Sequence, residues 1–304
     1  MEIVATVLMI AVQLMAPLAW AVYGEIIAER SGVLNVGLEG AVLLGAWGTA
    51  VGYTQTGDPW MGVLLGVIVG VVTGAVLAFL YVWRRVDQIV GGIIVILLAG
   101  GITVTFWVTL QGPEPTTNLP RVPIPLLSDI PVIGPALFGQ NALVLAALIA
   151  GPVLLLLLTR TRWGFRLRVA GESPEALDAS GISVRWTRTI GIVVGTTLGA
   201  VGGATLVLTS SSGAFVANMS AGIGFIALAV VILARWNPLV GLAAALVFGV
   251  LQALQYQAQS LPLLAEVPTQ LILALPYIAS ILVVAFNRTA RYPTATGIAW
   301  EPRS

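Results

Sequence analysis

The stretch MGVLLGVIVGVVTGAVLAFLYVW, residues 61–83, contains no charged side chain. A helix needs about 20 consecutive apolar residues to cross the hydrocarbon core of a bilayer, so this stretch is long enough to span a membrane. Gly62, Gly66, Gly70 and Gly74 recur at every fourth position. That spacing lets helices approach closely in lipid. The stretch therefore predicts a membrane helix that packs against its neighbours through a glycine face.

Similar apolar runs recur along the whole chain. They cover residues 3–24, 37–54, 89–110, 140–158, 189–209, 222–234, 238–258 and 269–286. Apolar residues make up 58% of the sequence and charged residues only 9%, against about 25% charged in an ordinary soluble domain. We therefore predict an all-α fold, a polytopic transmembrane helical bundle of about nine spans (eight to ten) that forms a single domain over residues 1–304.

Arginine placement predicts the orientation. The polar stretches 84–85, 160–188 and 288–303 are rich in arginine, whereas the long loop 111–140 carries only Arg121. Arginine-rich loops face the cytoplasm in most membrane proteins. Counting spans from these clusters places the N-terminus outside the cell membrane and the C-terminus in the cytoplasm.

Missing residue types exclude several functions. The chain has no cysteine, no histidine and no lysine among its 14 basic residues, so we expect no metal site, no cofactor and no catalytic residue. A P-loop needs a lysine, so any ATPase must be a separate chain. A net charge of +1 argues against nucleic-acid binding. An ion-coupled secondary transporter remains an alternative, although such carriers use several intramembrane ionisable groups and only Glu39 is predicted to reach the membrane.

One polar loop, residues 159–188, contains signals for a short helix. Ser173 is a favoured N-cap, Pro174 suits the first helical position, and Gly181 supplies a left-handed end. They predict a helix over 174–180 on the cytoplasmic side. Such a helix either docks a partner or rests on lipid headgroups.

Three segments resemble a known family. Glu175 and Ala176, followed by Gly181, are similar to the E-A-A-x-x-x-G coupling motif of ABC importer permeases, with Leu177 in place of the second alanine. TRWGFRLRVAGESPEALDASGI (161–182) resembles the cytoplasmic loop of simple-sugar and branched-chain amino-acid permeases. ERSGVLNVGLEG (29–40) and GIGFIALAVVILARWNPL (222–239) resemble the nucleoside permeases that work with basic-membrane-protein lipoproteins.

The resemblance implies a single permease domain in a bacterial or archaeal inner membrane that imports a neutral polar solute by alternating access. A nucleoside or nucleobase is the first expectation, and a simple sugar or branched-chain amino acid is the alternative. The implied partners are a second permease subunit, a cytoplasmic ATPase and an external substrate-binding lipoprotein. Coupling to the ATPase falls on residues of the loop 159–188, namely Glu172, Ser173, Pro174, Glu175, Ala176 and Gly181.

Two polar, glycine-containing segments, 31–37 and 210–224, interrupt the spans from opposite faces. Paired breaks of this kind indicate inverted repeats around a central pathway. Asn35, Glu39, Phe215 and Asn218 are therefore the predicted pathway residues. The alternatives are helix caps for the two asparagines and an interface carboxylate for Glu39. Four aromatic residues could stack on a base, namely Phe106, Trp107, Phe215 and Phe225. The alternative for each of them is core or lipid packing.

Overall fold

The computed structural model describes residues 2–109, 119–131, 133–210, 214–257 and 292–301, together with positions 271, 274, 275, 278 and 281. The helices in these ranges are α1 (Glu2–Arg30), α2 (Leu38–Thr56), α3 (Pro59–Ala78), α4 (Gln88–Thr109), α5 (Ile133–Phe138), α6 (Ala142–Arg160), α7 (Arg162–Glu172), α8 (Pro174–Ala179), α9 (Val184–Thr209), α10 (Ile223–Ala234) and α11 (Pro238–Gln257). A π-helical turn, Phe79–Trp83, continues α3. The predicted all-α fold is confirmed.

Eight of the nine predicted spans coincide with helices. The ninth, 269–286, lies largely outside the described residues. Six described helices are long and apolar enough to cross a membrane: α1, α3 with its π turn, α4, α6, α9 and α11. The other two, α2 and α10, both begin at a predicted broken segment. With 12 residues, α10 is about 18 Å long and cannot cross alone. The estimate of about nine spans is thus approximate.

The helices α1 and α9 form the centre of the bundle. The α9 helix packs along α1, α2 and α3, because small residues line the contacts. A Cβ on Gly24 would collide with the Gly195 carbonyl oxygen, and one on Gly195 with that of Gly24. On its other side α1 meets α6, where the Tyr23 hydroxyl donates to the Ala147 carbonyl at 3.0 Å. In lipid no hydrophobic effect drives helices together, so close backbone packing and interhelical hydrogen bonds stabilise these contacts instead.

The outer faces of α3, α4 and α6 carry large exposed apolar side chains. Leu64, Val72, Leu97 and Leu156 are each at least half exposed. A contiguous apolar surface of this size would be unstable in water. These faces are the ones that lipid covers.

The described parts of the arginine-rich stretches lie together at one end of the bundle. Arg85 forms an ion pair with Glu301, and the ring of Tyr292 packs on Trp236. The loop with little arginine lies at the other end of α9, where the Leu119 amide donates to the Leu208 carbonyl. This segregation agrees with the pattern behind the positive-inside prediction. Which end faces the cytoplasm stays a prediction.

Candidate functional site

The predicted coupling helix exists as α8, which ends one residue earlier than expected. Gly181 follows with φ +78°, the left-handed end that the sequence predicted. Ser173 occupies the predicted N-cap position, although its side chain makes no cap hydrogen bond. Its backbone carbonyl accepts from the Ala176 and Leu177 amides.

The α8 helix is anchored on one side and open on the other. Pro174 is buried, and Leu177, only 2% exposed, packs against Ala170 and Val184. The other predicted coupling residues are exposed: Glu172, Ser173, Glu175, Ala176 and Gly181. Leu177 is the position that departs from the family motif, and its larger side chain supplies the anchor. The outward face of α8 thus carries the Glu175 carboxylate, and Glu172 lies just before it at the end of α7.

The C-terminal segment 292–301 packs against this region. The Ala295 amide donates to the Gly171 carbonyl at 2.8 Å, and the Thr294 hydroxyl donates to the Glu172 carbonyl. Trp300 packs on the apolar cluster beneath α8. These contacts bind the carbonyls at the end of α7, which immediately precedes α8. The segment therefore holds α8 on the bundle.

Arg188 of α9 ties the same segment down from the inside. Its side chain is buried, and Nη1 donates to the Ile298 carbonyl at 2.6 Å. Nη2 lies 3.4 Å from both the Ala170 and the Ala295 carbonyls. A buried guanidinium with several acceptors can join three pieces of chain at once. Arg188 links α7, α9 and the C-terminal segment.

Replacement of Arg188 by glutamine should release the C-terminal segment. The change removes charge-assisted hydrogen bonds, each worth about 1.5–3 kcal/mol. The reporter is Ala295→Cys, because position 295 is buried and the chain has no native cysteine. We expect thiol labelling at position 295 to accelerate at least tenfold in Arg188→Gln. The exposed Arg166 gives the control Arg166→Gln, and equal labelling rates in the two variants would contradict the assignment.

Glu39 joins the starts of the two interrupted helices. It lies in the first turn of α2 and is buried. Its Oε1 accepts from the Gly222 amide at 2.9 Å, and its Oε2 accepts from the Gly224 amide at 2.7 Å, at the start of α10. A helix N-terminus carries a partial positive charge that favours an anion. One carboxylate therefore serves two helix starts, and the interface alternative for Glu39 stays a prediction.

Asn35 is buried between α1 and α9 and does not cap α2. Its Nδ2 donates to the Thr196 hydroxyl at 3.2 Å, and its amide donates to Glu25 Oε1 at 3.0 Å. The N-cap of α2 is Gly37. The cap alternative for Asn35 is therefore wrong, since its side chain reaches a different helix.

The second broken segment separates its two predicted pathway residues. Phe215 is buried against Leu43, Ala46 and Ala50 of α2. Asn218 is exposed and has φ +58°, and the N-cap of α10 is Gly222. The cap alternative for Asn218 is wrong, and the packing alternative fits Phe215. The structure brings Glu39 to this segment but does not gather all four residues around one gap.

Two further aromatics predicted for stacking, Phe106 and Phe225, lie on different helices, α4 and α10. Phe106 is half exposed with its ring near Trp47, and Phe225 is half exposed on α10. The side chain of Trp107 lies outside the described residues. A role in the pathway for these residues stays a prediction.

Sequence reasoning missed two buried carboxylates, Glu25 and Glu29. The predicted span 3–24 ended before them, whereas α1 continues to Arg30, so the expectation that only Glu39 lies inside the bundle is wrong. Besides the Asn35 amide held by Glu25, Glu29 Oε2 accepts from Trp236 Nε1. The signal was their i, i+4 spacing on one helix face. Glu25 thus binds the first broken segment, 10 residues further along the chain, and Glu29 binds Trp236, 207 residues away.

This arrangement is that of an integral membrane permease in which α2 and the short α10 start at a shared carboxylate and an anchored helix, α8, lies at the arginine-rich end. The family model described as "Branched-chain amino acid transport system / permease component" matches residues 6–284, and the chain belongs to that family. The expected class, an ABC importer permease without an ATP-binding motif of its own, agrees with this membership.

Three characterised or named relatives illustrate the similarity. The nucleoside ABC transporter permease NupC of Lactococcus lactis is 34% identical over 93% of this chain and 92% of its own length. The guanosine ABC transporter permease NupQ of Bacillus subtilis is 33% identical over the same shares. A putative glucose ABC transporter permease of Haloferax volcanii is 36% identical over 86% of this chain and 80% of its own. No solved structure matches the chain.

Proposed function

We propose that this permease imports a nucleoside or nucleobase by alternating access. A second permease subunit, a cytoplasmic ATPase and an external substrate-binding lipoprotein complete the importer. The observation that carries the proposal is similarity over nearly the full length to two permeases named for nucleosides. The relative named for glucose covers less of both chains, so a simple sugar is the second candidate.

The charges at the centre of the bundle support a neutral solute. Half-helix N-termini that point into a pathway usually attract anionic substrate groups. Here the Glu39 carboxylate already occupies the N-terminus of α10 and lies in the first turn of α2. An amino-acid carboxylate would have to displace it. A branched-chain amino acid is therefore the weakest of the three expected substrates.

ATP hydrolysis in the partner is proposed to act on the exposed face of α8. Glu175 and Ala176 face outward, while Pro174 and Leu177 attach the helix to the bundle. A push on this face passes to α7, α9 and the segment 292–301, which all contact the same apolar cluster. Because that ATPase is cytoplasmic, we assign the arginine-rich end, where α8 lies, to the cytoplasm.

Replacing Gly181 by valine and Glu175 by arginine should uncouple transport. Space beside Gly181 is open, so only its positive φ resists a side chain, and a β-branched residue is strongly disfavoured there. We expect stimulation of the ATPase by loaded binding protein to fall at least tenfold in the reconstituted importer. The control is Gly57→Val, which creates the same strain at the end of α2, with φ +71° and open space. Normal stimulation in the Gly181→Val, Glu175→Arg double variant would refute the coupling assignment.

The substrate is tested with the same reconstituted importer. ATP-dependent uptake of labelled guanosine or adenosine should occur, and unlabelled nucleosides should compete with it, whereas glucose and leucine should not. Uptake of glucose without uptake of any nucleoside or nucleobase would replace this proposal with the sugar alternative.

A further inference from the structure

A cavity of about 210 Å³ opens near the end of the bundle opposite the arginines. Its walls come from the outer half of α1, the end of α9, the second broken segment, the start of α10 and the end of α11. The lining residues are Leu14, Pro17, Leu206, Met219, Ser220, Ala221, Ile223, Ile226, Gln252, Gln255 and Tyr256. By the orientation proposed above, it faces the side from which the binding protein delivers solute.

Three polar residues on α11 share the cavity wall. Gln252, Gln255 and Tyr256 stand at i, i+3 and i+4, so they lie on one face of the helix. Most of the rest of α11 is apolar, and polar side chains within a membrane helix are costly and mark functional surfaces. Two amides and a phenol can both donate and accept hydrogen bonds. This is the donor and acceptor set that a nucleobase edge or a ribose requires.

The second broken segment contributes Ser220 to the opposite wall. The residue is fully buried, and so is its Oγ, which has no hydrogen-bond partner among the described residues. Ser220 lies two positions before Gly222, the residue whose amide donates to Glu39. The broken segment therefore borders the cavity directly beside the Glu39 junction.

The remaining lining suits a flat, neutral solute. None of the described lining residues is charged, and Leu14, Leu206, Ile223 and Ile226 supply apolar surface. Binding sites commonly combine apolar walls with a few oriented polar groups. The volume is below the roughly 300–1,000 Å³ of pockets for drug-sized ligands, so it suits a small solute of nucleobase or nucleoside size.

We propose that this cavity is a solute-binding site of the permease, in which Gln252, Gln255 and Tyr256 hydrogen-bond a neutral nucleoside or nucleobase. The assignment rests on the proposed function, because it names where that same substrate binds. The proposed solute contacts thus lie on α11 and not among the four residues predicted for the pathway. Glu39 acts here as a positioning residue, because it fixes the broken segment that forms one wall.

The test removes the two amides with little change of side-chain volume. Gln252→Leu and Gln255→Leu are made singly and together, and nucleoside uptake is measured in the reconstituted importer. One hydrogen bond corresponds to about two- to tenfold in affinity, so each single variant should raise the half-saturating nucleoside concentration by that factor and the double variant by about four- to hundredfold. The yield of the assembled importer is measured in parallel for every variant. Gln257→Leu removes the same amide from the same helix outside the cavity wall and serves as the control.

Labelling of a cysteine in the cavity separates this proposal from the proposed function. In Gln252→Cys, a small polar thiol reagent should label position 252, and a nucleoside delivered by the binding protein should protect it. Protection by glucose alone would keep the binding site but remove the nucleoside assignment. Normal nucleoside uptake by the Gln252→Leu, Gln255→Leu variant, or equal losses in Gln257→Leu, would overturn the binding site and leave the proposed function intact.

Discussion

Replacement of Glu39 by alanine is expected to abolish transport and to lower the yield of folded permease. The change leaves two buried amides, those of Gly222 and Gly224, without their acceptor. Each unsatisfied N–H costs about 1–3 kcal/mol, and loss of the charge at the helix starts adds up to about 2 kcal/mol. The sum is a large part of the roughly 5–15 kcal/mol that separates folded from unfolded proteins. Thermal unfolding of the detergent-purified chain and nucleoside uptake measure the two effects.

Glu39→Gln separates geometry from charge at the same position. A carboxylate accepts from both amides, whereas a carboxamide accepts through one oxygen and presents an NH₂ to the other donor. We expect a folded protein with reduced stability and impaired uptake, intermediate between wild type and Glu39→Ala. The exposed loop carboxylate Asp129 gives the control Asp129→Ala. If Glu39→Ala unfolds at the same temperature as this control, then Glu39 does not hold α10.

A valine at Gly203 should prevent accumulation of the folded protein. Gly203 of α9 faces α2, and a Cβ there would collide with the Val42 carbonyl oxygen and lie 2.6 Å from the Ala46 amide nitrogen. Both obstacles are backbone atoms, so no side-chain rotation relieves them. Even modest overpacking costs about 1–3 kcal/mol, and separating two membrane helices also removes their packing contacts. The fraction of monodisperse protein in size-exclusion chromatography is the measurement.

Graded and matched variants make that result specific. Gly203→Ala should lie between wild type and Gly203→Val, because it adds only the Cβ. At Gly101 of α4, a Cβ would meet nothing within 4 Å, so Gly101→Ala should be neutral or stabilising by about 0.5–1 kcal/mol, as glycine-to-alanine changes inside helices are. Comparable losses in Gly203→Val and in a Gly101→Val control would show that α9 and α2 do not depend on close approach.

Local sequence signals predicted the helices well. The runs at 61–83 and 140–158 correspond to α3 with its π turn and to α6, because length and the absence of charge suffice to identify a span. Pro174 and Gly181 bounded α8 to within one residue, since both act through their own backbone geometry. The resemblance to permeases also rested on short continuous segments, and the family match confirms it.

Polar residues of the interior were predicted less well. Asparagine is a favoured N-cap residue, and Asn35 lies in the turn before a helix. Its side chain nevertheless bonds to Thr196, 161 residues away. Glu25 and Glu29 lie beyond the predicted span, because the apolar run ends at residue 24. In the structure α1 continues to Arg30, and the Asn35 amide and Trp236 Nε1 each donate to one of the two carboxylates. A charged residue ends an apolar run in sequence but does not end a helix whose neighbours supply hydrogen bonds.

The sequence by itself determined that lipid surrounds most of this protein, where its helices and break points lie, and which family it resembles. Composition, periodicity and turn chemistry are local properties, and the resemblance rests on short continuous segments. Only the tertiary structure decided what the broken segments do. Glu39 binds amides 183 and 185 positions further along the chain, and the cavity combines α1, α9, α10 and α11. A buried polar group takes whichever partner the packed helices bring within hydrogen-bonding distance, and that distance is unrelated to separation in sequence.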